Sequence, residues 1–284
     1  PNTAYITNAF DSVARLTGTY LKNSGNTNLN SHTYTYNLGS QRTQQAFTAG
    51  NYVDYTYDNL GQLKSAKGKE SGGTTNRLLE QMSYVYDAAG NLNWRTNNAL
   101  VQAFNVNNLN ELTTATNSGT LTVAGTTTSA ATNVTVNTLN AALYLDYTFA
   151  KDGFTVTNGN NTFKAIAKDS YGRSDTNTIS VTLSNSVPYT YDLNGNLLYD
   201  GSRAFDYDDE NQLTRVTATN KWKSEFTYDG QMRRRIRKEF TWSGSWVQTN
   251  EVRYICDGGL VIQERDANNL PTVSYTRGRD LSGN

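Results

Sequence analysis

Apolar and polar residues alternate in short segments along this chain, and turn-forming residues separate the segments. In YTYDNLGQL (55–63), YVYDAAGNL (84–92) and YTYDLNGNL (189–197), two tyrosines stand two positions apart. Side chains two apart in a strand point to the same side of a sheet, and the residue between them faces the other side. Each of these segments is therefore predicted to open as a β-strand.

Each second tyrosine is followed by aspartate, and a glycine stands three positions later. An aspartate side chain can accept hydrogen bonds from the backbone of a turn, and glycine readily adopts the positive φ needed to leave the turn. The closing leucine starts a returning strand, so one unit is predicted to be a β-hairpin. The residues of this repeat signature are Tyr55, Tyr57, Asp58, Gly61, Leu63, Tyr84, Tyr86, Asp87, Gly90, Leu92, Tyr189, Tyr191, Asp192, Gly195 and Leu197.

Weaker copies of the unit extend the pattern over both ends of the chain. Segments 104–112 and 205–213 carry asparagine where the glycine stood, and shorter versions occur at 10–11, 34–37, 226–230 and 254–258. The spacing of the copies is about twenty residues, which is typical of stacked supersecondary units. A lone hairpin is marginal in water, whereas a row of hairpins shares edges and buries a common face.

The repeat disappears between residues 117 and 186. Short alternating runs such as Val134–Val136, Phe154–Val156 and Ile179–Leu183 replace it, with turn signals between them. This spacing predicts a small β-sandwich. Segment 158–173 resembles the late strands of bacterial Ig-like modules. The predicted organisation is 1–116 (first repeats), 117–186 (Ig-like insertion in an exposed loop) and 187–284 (second repeats).

Composition agrees with β-structure and limits the partners. The 284 residues include 19 Tyr, 22 Gly and only 3 Pro, and hydrophobic residues make up 36%. This low value suits an extended sheet with a large polar surface. The predicted fold is all-β: a curved or spiralling antiparallel sheet of hairpins with an inserted sandwich. The formal net charge is zero, so no nucleic-acid partner is predicted.

Neither a membrane span nor an enzyme is predicted from the residues. No apolar stretch is long enough to cross a bilayer, and Pro1 does not begin a signal peptide, so a piece of a longer protein is expected. One cysteine (Cys256) and one histidine (His32) cannot form an internal disulfide or a four-ligand N/S zinc site. Hydrolase, dinucleotide and phosphate-binding motifs are absent from the sequence. No catalytic residue and no cofactor are predicted.

The hairpin units resemble the YD repeats of the bacterial Rhs family, which is related to the shells of insecticidal toxin complexes and to animal teneurins. The resemblance covers 1–116 and 187–284, and segment 254–284 is similar to the stretch leading into the end of the Rhs core. It implies hairpins joined into one sheet that spirals into a hollow shell, often around a toxin. The family's self-cleaving end carries an Asp-Pro-centred motif, which this sequence lacks, so no residue is assigned that role.

Three local features offer alternatives to a purely structural interpretation. Asp206, Asp208 and Glu210 place oxygen ligands on alternate residues, which could hold calcium, although a strand entering a turn is favoured. A dense charge run could form a basic stripe, although a solvated outer face or pairing with neighbouring acidic repeats is favoured. Two tryptophans around a tight turn could stack on a sugar, with cross-strand packing favoured. The residues proposed for ligand contact are Arg233, Arg235, Arg237, Trp242 and Trp246.

The resemblance to the YD repeats, together with the absence of catalytic motifs, implies a non-enzymatic structural fragment of a large exported bacterial protein, located outside the cell or at its surface. It would contribute to a β-shell or stalk that encloses or presents a toxin or effector. The alternative is a cell-surface adhesin module that binds glycan or protein through the insert or the outer aromatics. The expected partners are the remainder of its own parent chain and further copies that associate through sheet edges.

Overall fold

The computed structural model describes residues 3–276, which form strands and turns but no helix. Neighbouring strands with a resolved register pair antiparallel throughout, and most are successive in the chain. The prediction of an all-β chain of antiparallel hairpins is confirmed. Within segment 254–284, which resembles the family's core end, residues 277–284 lie outside the described residues.

The chain divides into two compact units, the first made of Pro1–Val106 and Thr114–Ser186. Its hairpin sheet pairs β1 to β10 in sequence order. These strands are β1 (Tyr5–Phe10), β2 (Leu16–Lys22), β3 (Asn28–Tyr36), β4 (Arg42–Phe47), β5 (Tyr52–Tyr57), β6 (Leu63–Lys69), β7 (Asn76–Tyr86), β8 (Leu92–Asn97), β9 (Leu100–Val106) and β10 (Leu112–Thr126).

The remaining strands of the first unit form two packed layers. They are β11 (Asn133–Val136), β12 (Leu139–Asn140), β13 (Ala142–Leu143), β14 (Thr148–Thr155), β15 (Gly159–Lys168) and β16 (Ser174–Leu183). One layer continues from β10 to β14 and β13, and the other has the order β12-β11-β15-β16. Between the layers lies a core of Val134, Val136, Phe149 and Phe163. Two packed sheets are the arrangement of a β-sandwich.

The predicted domain boundaries are not sharp breaks in the backbone. Strand β10 runs without interruption across residue 117, and the chain passes from one unit to the other within it. The division at 117 and 186 and the Ig-like character of the insert stay predictions.

The second unit consists of Asn107–Thr113 and Val187–Asn284. Strand β17 (Ser186–Pro188) begins at the last residue of the first unit, and within the second unit the Tyr189 N–H donates to the Thr113 carbonyl at 2.9 Å. The other strands pair in sequence order. They are β18 (Thr190–Tyr191), β19 (Leu197–Tyr199), β20 (Arg203–Tyr207), β21 (Leu213–Ala218), β22 (Trp222–Tyr228), β23 (Arg234–Trp242), β24 (Trp246–Asp257), β25 (Leu260–Arg265) and β26 (Pro271–Ser274).

Candidate functional site

The repeated turn is built by its first side chain. In the copy that joins β7 to β8, Asp87 Oδ1 accepts the backbone N–H groups of Ala89 and Asn91, at 2.9 and 2.8 Å. The Asn91 side-chain amide donates to the other oxygen of Asp87 at 3.0 Å. Side-chain oxygens accept the same two backbone bonds at Asp11, Asp58, Asn107, Asp169, Asp192, Asp208, Asp229 and Asp266.

The fourth residue of each turn has a left-handed backbone. Gly61, Gly90 and Gly195 have φ between 82° and 87°. Ser40, Asn110, Asn211 and Met232 occupy the same position with φ near 60°. Asparagine tolerates this region better than other side chains do, which explains the copies with asparagine in place of glycine. The weak copy at Asp257 differs, because Asp257 pairs directly with Leu260 across a two-residue turn.

These hydrogen bonds stabilise the charged forms of Asp87, Asp192 and Asp229. The side-chain amide of Asn91 is the main cause that lowers the pKa of Asp87, and the amide of Asn196 has the same effect on the pKa of Asp192. At Asp229, the hydrogen bond from Arg233 is the largest influence and brings the pKa well below its usual range. A carboxylate held in this way is a poor proton donor near neutral pH. The turn carboxylates therefore act in backbone stabilisation.

The second tyrosine of a repeat bonds to the repeat before it. Its backbone pairs with the closing residue of its own hairpin, as Tyr57 does with Leu63 and Tyr86 with Leu92, after a shift in register. Its hydroxyl reaches in the opposite direction. Tyr86 Oη donates to the Leu63 carbonyl at 3.1 Å, and Tyr57 Oη to the Arg42 carbonyl at 2.7 Å.

The same bond recurs in both units of the chain. Tyr36 Oη donates to the Leu16 carbonyl at 2.7 Å, and Tyr228 Oη to the Leu213 carbonyl at 2.9 Å. Burial is the largest influence on the pKa of Tyr86 and of Tyr228, and it raises both values. The hydroxyls of Tyr86 and Tyr228 therefore stay protonated and remain donors at neutral pH. We call this contact the tyrosine stitch, because it joins each hairpin to the preceding one.

A buried ionic cluster joins the hairpin sheet of the first unit to its insert. Arg77 on β7 has only 4% of its side chain exposed. It forms ion pairs with Glu70, with Glu80 at 2.8 Å and with Asp146 at 2.8 Å. Its guanidinium also lies over the ring of Tyr144, 4.5 Å from the centroid. Asp146 and Tyr144 belong to the loop between β13 and β14, so the cluster connects residues about seventy positions apart.

Further hydrogen bonds close this junction. The Leu78 N–H donates to Tyr144 Oη at 2.8 Å, and the Leu145 N–H donates to a Glu70 carboxylate oxygen at 3.3 Å. Burial is the largest single influence on the Arg77 pKa and lowers it, but the hydrogen bonds from Arg77 to Glu80 and Glu70 outweigh it and the pKa is raised. Arg77 is thus a permanent cation. Its partners Asp146 and Tyr144 lie far from Arg77 in the sequence, so no sequence motif predicts these contacts.

The predicted basic stripe is largely neutralised. Arg233 lies in the turn before β23 and pairs with Asp229 at 2.8 Å. Arg235 contacts the same carboxylate at 3.3 Å and donates to the Tyr254 carbonyl. Arg237 pairs with Glu239 at 3.1 Å. These ion pairs lie within a single hairpin, and a ligand role for these arginines stays a prediction.

The tryptophan pair forms a cross-strand contact at the end of β23 and β24. Trp242 lies directly opposite Trp246, and the ring centroids are 5.0 Å apart at an interplanar angle of 69°. This edge-to-face geometry is the favourable one for aromatic packing. Trp222, which sequence reasoning missed, begins the adjacent strand β22, and Trp222 and Trp242 are each more than a third exposed.

The three carboxylates proposed for calcium each have protein partners. Asp206 pairs with Arg215 at 2.8 Å, Asp208 accepts the turn amides, and Glu210 accepts a bond from the Gln212 side chain. Among residues 3–276, no group of three or more acidic, histidine or cysteine side chains is arranged to hold a metal ion. The calcium alternative stays a prediction that no contact supports.

A cavity opens between the two layers of the insert. Its volume is about 590 Å³. Val134, Phe149 and Phe163 form its apolar floor, and Ile179 of β16 lines one side. Lys168, Asp169, Arg173 and Asp175 stand among its polar lining. The lining has no histidine or cysteine.

Comparison with known proteins gives one relative of limited extent. No protein-family model matches this chain. The tRNA3(Ser)-specific nuclease WapA of Bacillus spizizenii is 34% identical over 143 residues. The matched segment is 47% of this chain and 6% of the nuclease, so the chain spans a small part of that relative's length. The activity in the relative's name belongs to the whole nuclease.

Solved structures show a weaker likeness. The Photorhabdus luminescens Tc holotoxin pore with a TccC3 mutation is 16% identical, and the alignment covers 93% of this chain and 13% of the other, at a TM-score of 0.36. TcdB2-TccC3-TEV and TcdB2-TccC3-Cdc42 are 17% and 15% identical at the same TM-score, covering 93% and 94% of this chain and 14% and 16% of theirs. A TM-score of 0.36 is too low to assign a shared fold. No helix that could cross a membrane occurs within residues 3–276.

Proposed function

We propose that this chain is a structural segment of a large exported bacterial protein of the Rhs/YD-repeat type, without catalytic activity of its own. In this role it forms part of a β-shell or surface stalk that encloses or presents a toxin or effector. The repeat signature and the 34% identity to part of a bacterial nuclease support the assignment.

One observation carries the proposal: the polar residues of the repeat are engaged in holding the backbone. The turn aspartates accept main-chain amides, and the second tyrosines donate to main-chain carbonyls of the preceding hairpin. A catalytic group must instead present an unsatisfied atom to a substrate. A side chain that repeats the same backbone contact in successive hairpins has the role expected of a scaffold.

The nuclease activity of the relative provides a direct test. Incubation of the isolated chain with total tRNA, with and without added divalent cations, is expected to leave the tRNA intact. Limited proteolysis of the same preparation should yield a resistant fragment that covers the described strands. A tRNA-cleaving activity that copurifies with the folded chain and persists after further purification would contradict a purely structural role.

A shell or stalk requires the stitched hairpins to hold together in the full-length parent protein. Replacement of Tyr57 and Tyr86 by phenylalanine removes two successive tyrosine stitches and preserves both rings. We expect this double variant to be secreted less efficiently and to expose the rest of the parent chain to protease. Unchanged secretion and protease resistance would show that the repeats are dispensable for that role.

The second candidate function is glycan binding at the tryptophan edge of the second unit. The exposure of Trp222 and Trp242 favours it, because aromatic faces open to solvent suit stacking on sugars. The test is a glycan array with the wild-type chain and with Trp242→Ala and Trp246→Ala. Retention that both substitutions abolish would support an adhesin module. If the chain binds no glycan on the array, those sugars are excluded as ligands and the cross-strand packing role of the tryptophans is favoured.

A further inference from the structure

Strand β16 differs from the other strands at sheet edges in residues 3–276. The other six edge strands are β1, β12, β13, β17, β18 and β26. Three of these have only two residues, β17 has three and ends with a proline, β26 has four and starts with a proline, and β1 has a shift in register near its end. Short length, proline and bulges are devices that prevent an edge from pairing with another strand.

None of these devices is present in β16. It has ten residues, contains no proline or lysine, and carries a single charge, at Asp175. Its register with β15 runs from Gly159 opposite Leu183 to Lys168 opposite Ser174 without a shift. Nine of the ten residues are exposed. In such an antiparallel pair, every second residue of β16 directs its N–H and C=O groups away from β15.

In the C-terminal half of β16, the side chains on one face are apolar, at Ile179, Val181 and Leu183, and the same face continues with Asn177 and Asp175. Ile179 and Val181 are 52% and 39% exposed. The cavity of about 590 Å³ between the two layers of the insert opens beside this strand, and Ile179 lines it together with the core residues Phe149 and Phe163. A strand added next to β16 would cover apolar surface as well as satisfy main-chain groups.

We propose that β16 pairs antiparallel with β16 of a second copy of this chain, so that the insert mediates self-association. Closed two-fold interfaces use the same patch on both partners, and a strand pairing with itself meets this condition. An axis at Ile179 places Asp175 opposite Leu183 of the second copy, because both are four residues from the centre. The single charge is thereby kept away from its symmetry mate, so no like-charge pair opposes the contact.

The proposal is independent of the role as a shell or stalk, because it rests on the edge geometry of the insert alone. The first test is the mass of the chain in solution as a function of concentration, by sedimentation or light scattering. We expect the mass to rise from that of one chain toward roughly twice that value. A mass of one chain over the whole range would overturn the proposal and leave the edge to a strand of another protein.

A pair of charge variants locates the contact. Thr178→Asp places a negative charge near the centre of the β16 pairing, where two copies would repel each other, while Lys164 lies opposite it within the chain. Thr227→Asp adds the same charge to β22, an exposed position on a strand with neighbours on both sides. We expect Thr178→Asp to remain monomeric and Thr227→Asp to associate as the wild type does. Equal association of the two variants would place the interface elsewhere and overturn the proposal.

Hydrogen exchange of the unmodified protein provides a test that requires no variant. The outward-facing amides of β16 should exchange more slowly as the protein concentration rises, whereas amides in β12 should not change. If the exchange rates of the β16 amides do not change with protein concentration, pairing at this edge is contradicted, even if the chain forms dimers.

Discussion

The hairpin sheet and the insert of the first unit stabilise β-structure in different ways. The insert packs two layers around Val134, Val136, Phe149 and Phe163. Within residues 3–106, by contrast, no hydrophobic side chain is fully buried, and the buried polar residues are Asn51, Glu70 and Arg77. The insert thus follows the usual route of apolar burial, while the sheet depends on half-buried aromatics and repeated hydrogen bonds.

This difference explains the structural role of the repeat in the hairpin sheet. A sheet without a covering layer gains little from burial, so each hairpin needs other contacts with its neighbours. The turn aspartate fixes the end of a hairpin, and the tyrosine stitch connects it to the preceding one. Each such bond contributes little stability alone, but the contributions add along a linear array of hairpins.

The largest effect is expected from the core of the insert. Phe163→Ala removes a ring that is 6% exposed and contacts Phe154 edge to face. Loss of a buried aromatic ring costs about 3–5 kcal/mol, so the insert should unfold at much lower denaturant concentration. Tyr171→Ala, at an exposed aromatic position, is the matched control and should cost less than about 0.5 kcal/mol. Equal costs for the two variants would show that the layers are not tightly packed.

Arg77→Ala comes second and tests whether the two regions are coupled. Removal of the guanidinium leaves the carboxylates of Glu70, Glu80 and Asp146 without their cation. Breaking a buried pair costs about 3–5 kcal/mol, and the partial exposure of Glu80 and Asp146 reduces the expected loss to about 2–4 kcal/mol. Chemical denaturation measures the loss. Hydrogen exchange should show faster opening in both β7 and the β13–β14 loop.

Two further arginine variants sharpen this result. Arg77→Lys keeps the charge but cannot contact three carboxylates with a planar fork, so its stability should lie between those of the wild type and Arg77→Ala. Arg173→Ala removes an exposed ion pair with Asp169 and should cost about 0–1 kcal/mol. If Arg77→Ala affected the insert no more than Arg173→Ala does, the cluster would not couple the two regions.

The repeat shows how much of this fold can be predicted from the sequence. Tyrosine alternation, Asp58 at the turn and Gly61 at its left-handed position are local signals, and they predict strands, turns and hairpins because the interacting residues are within five positions. The shift in register before Tyr57 also follows from this local turn, but alternation alone does not reveal it. The contact between Trp242 and Trp246 can likewise be predicted, because these residues flank a single turn.

The contacts between strands and loops that are distant in the chain cannot be predicted from the sequence pattern. Arg77 has no repeat equivalent and meets partners up to 71 residues away only after the insert has folded against β7. The tyrosine stitch joins residues 15 to 23 positions apart, and the alternation pattern does not specify which carbonyl accepts the hydroxyl. The path of β10 through the expected boundary at 117 depends on pairing with β14, a long-range event as well.

The tyrosine stitch should contribute a smaller, purely polar amount. Tyr86→Phe removes the hydroxyl that donates to Leu63 and leaves that carbonyl half-buried without this donor. We expect a loss of about 1 kcal/mol in the free energy of unfolding. Tyr171→Phe, whose exposed hydroxyl has no hydrogen-bond partner among the described residues, should change stability by less than about 0.5 kcal/mol. Identical results for the two variants would remove the stitch from the explanation of how the sheet is held.

The smallest expected effect is the acid sensitivity of a single turn. The pKa of Asp87 is lowered from 3.8, first of all by the hydrogen bond from the Asn91 side chain. A carboxyl group with a lower pKa in the folded state contributes stability that is complete above its unfolded pKa. That contribution is lost as the pH falls through the folded value. Acid should therefore weaken this turn only below about pH 4.

Asp87→Asn isolates this contribution from all other titrations. Asparagine already serves at the equivalent position 107, where its Oδ1 accepts the same two backbone amides, so the turn should persist. Urea unfolding of both proteins at neutral pH and at successively lower pH gives the difference between their midpoints. The wild type should lose stability relative to Asp87→Asn as the pH falls below about 4, because only the wild type has this carboxylate to protonate. A difference that stays constant throughout would mean that the charge of Asp87 does not strengthen the turn and that its geometry alone suffices, as it does at Asn107.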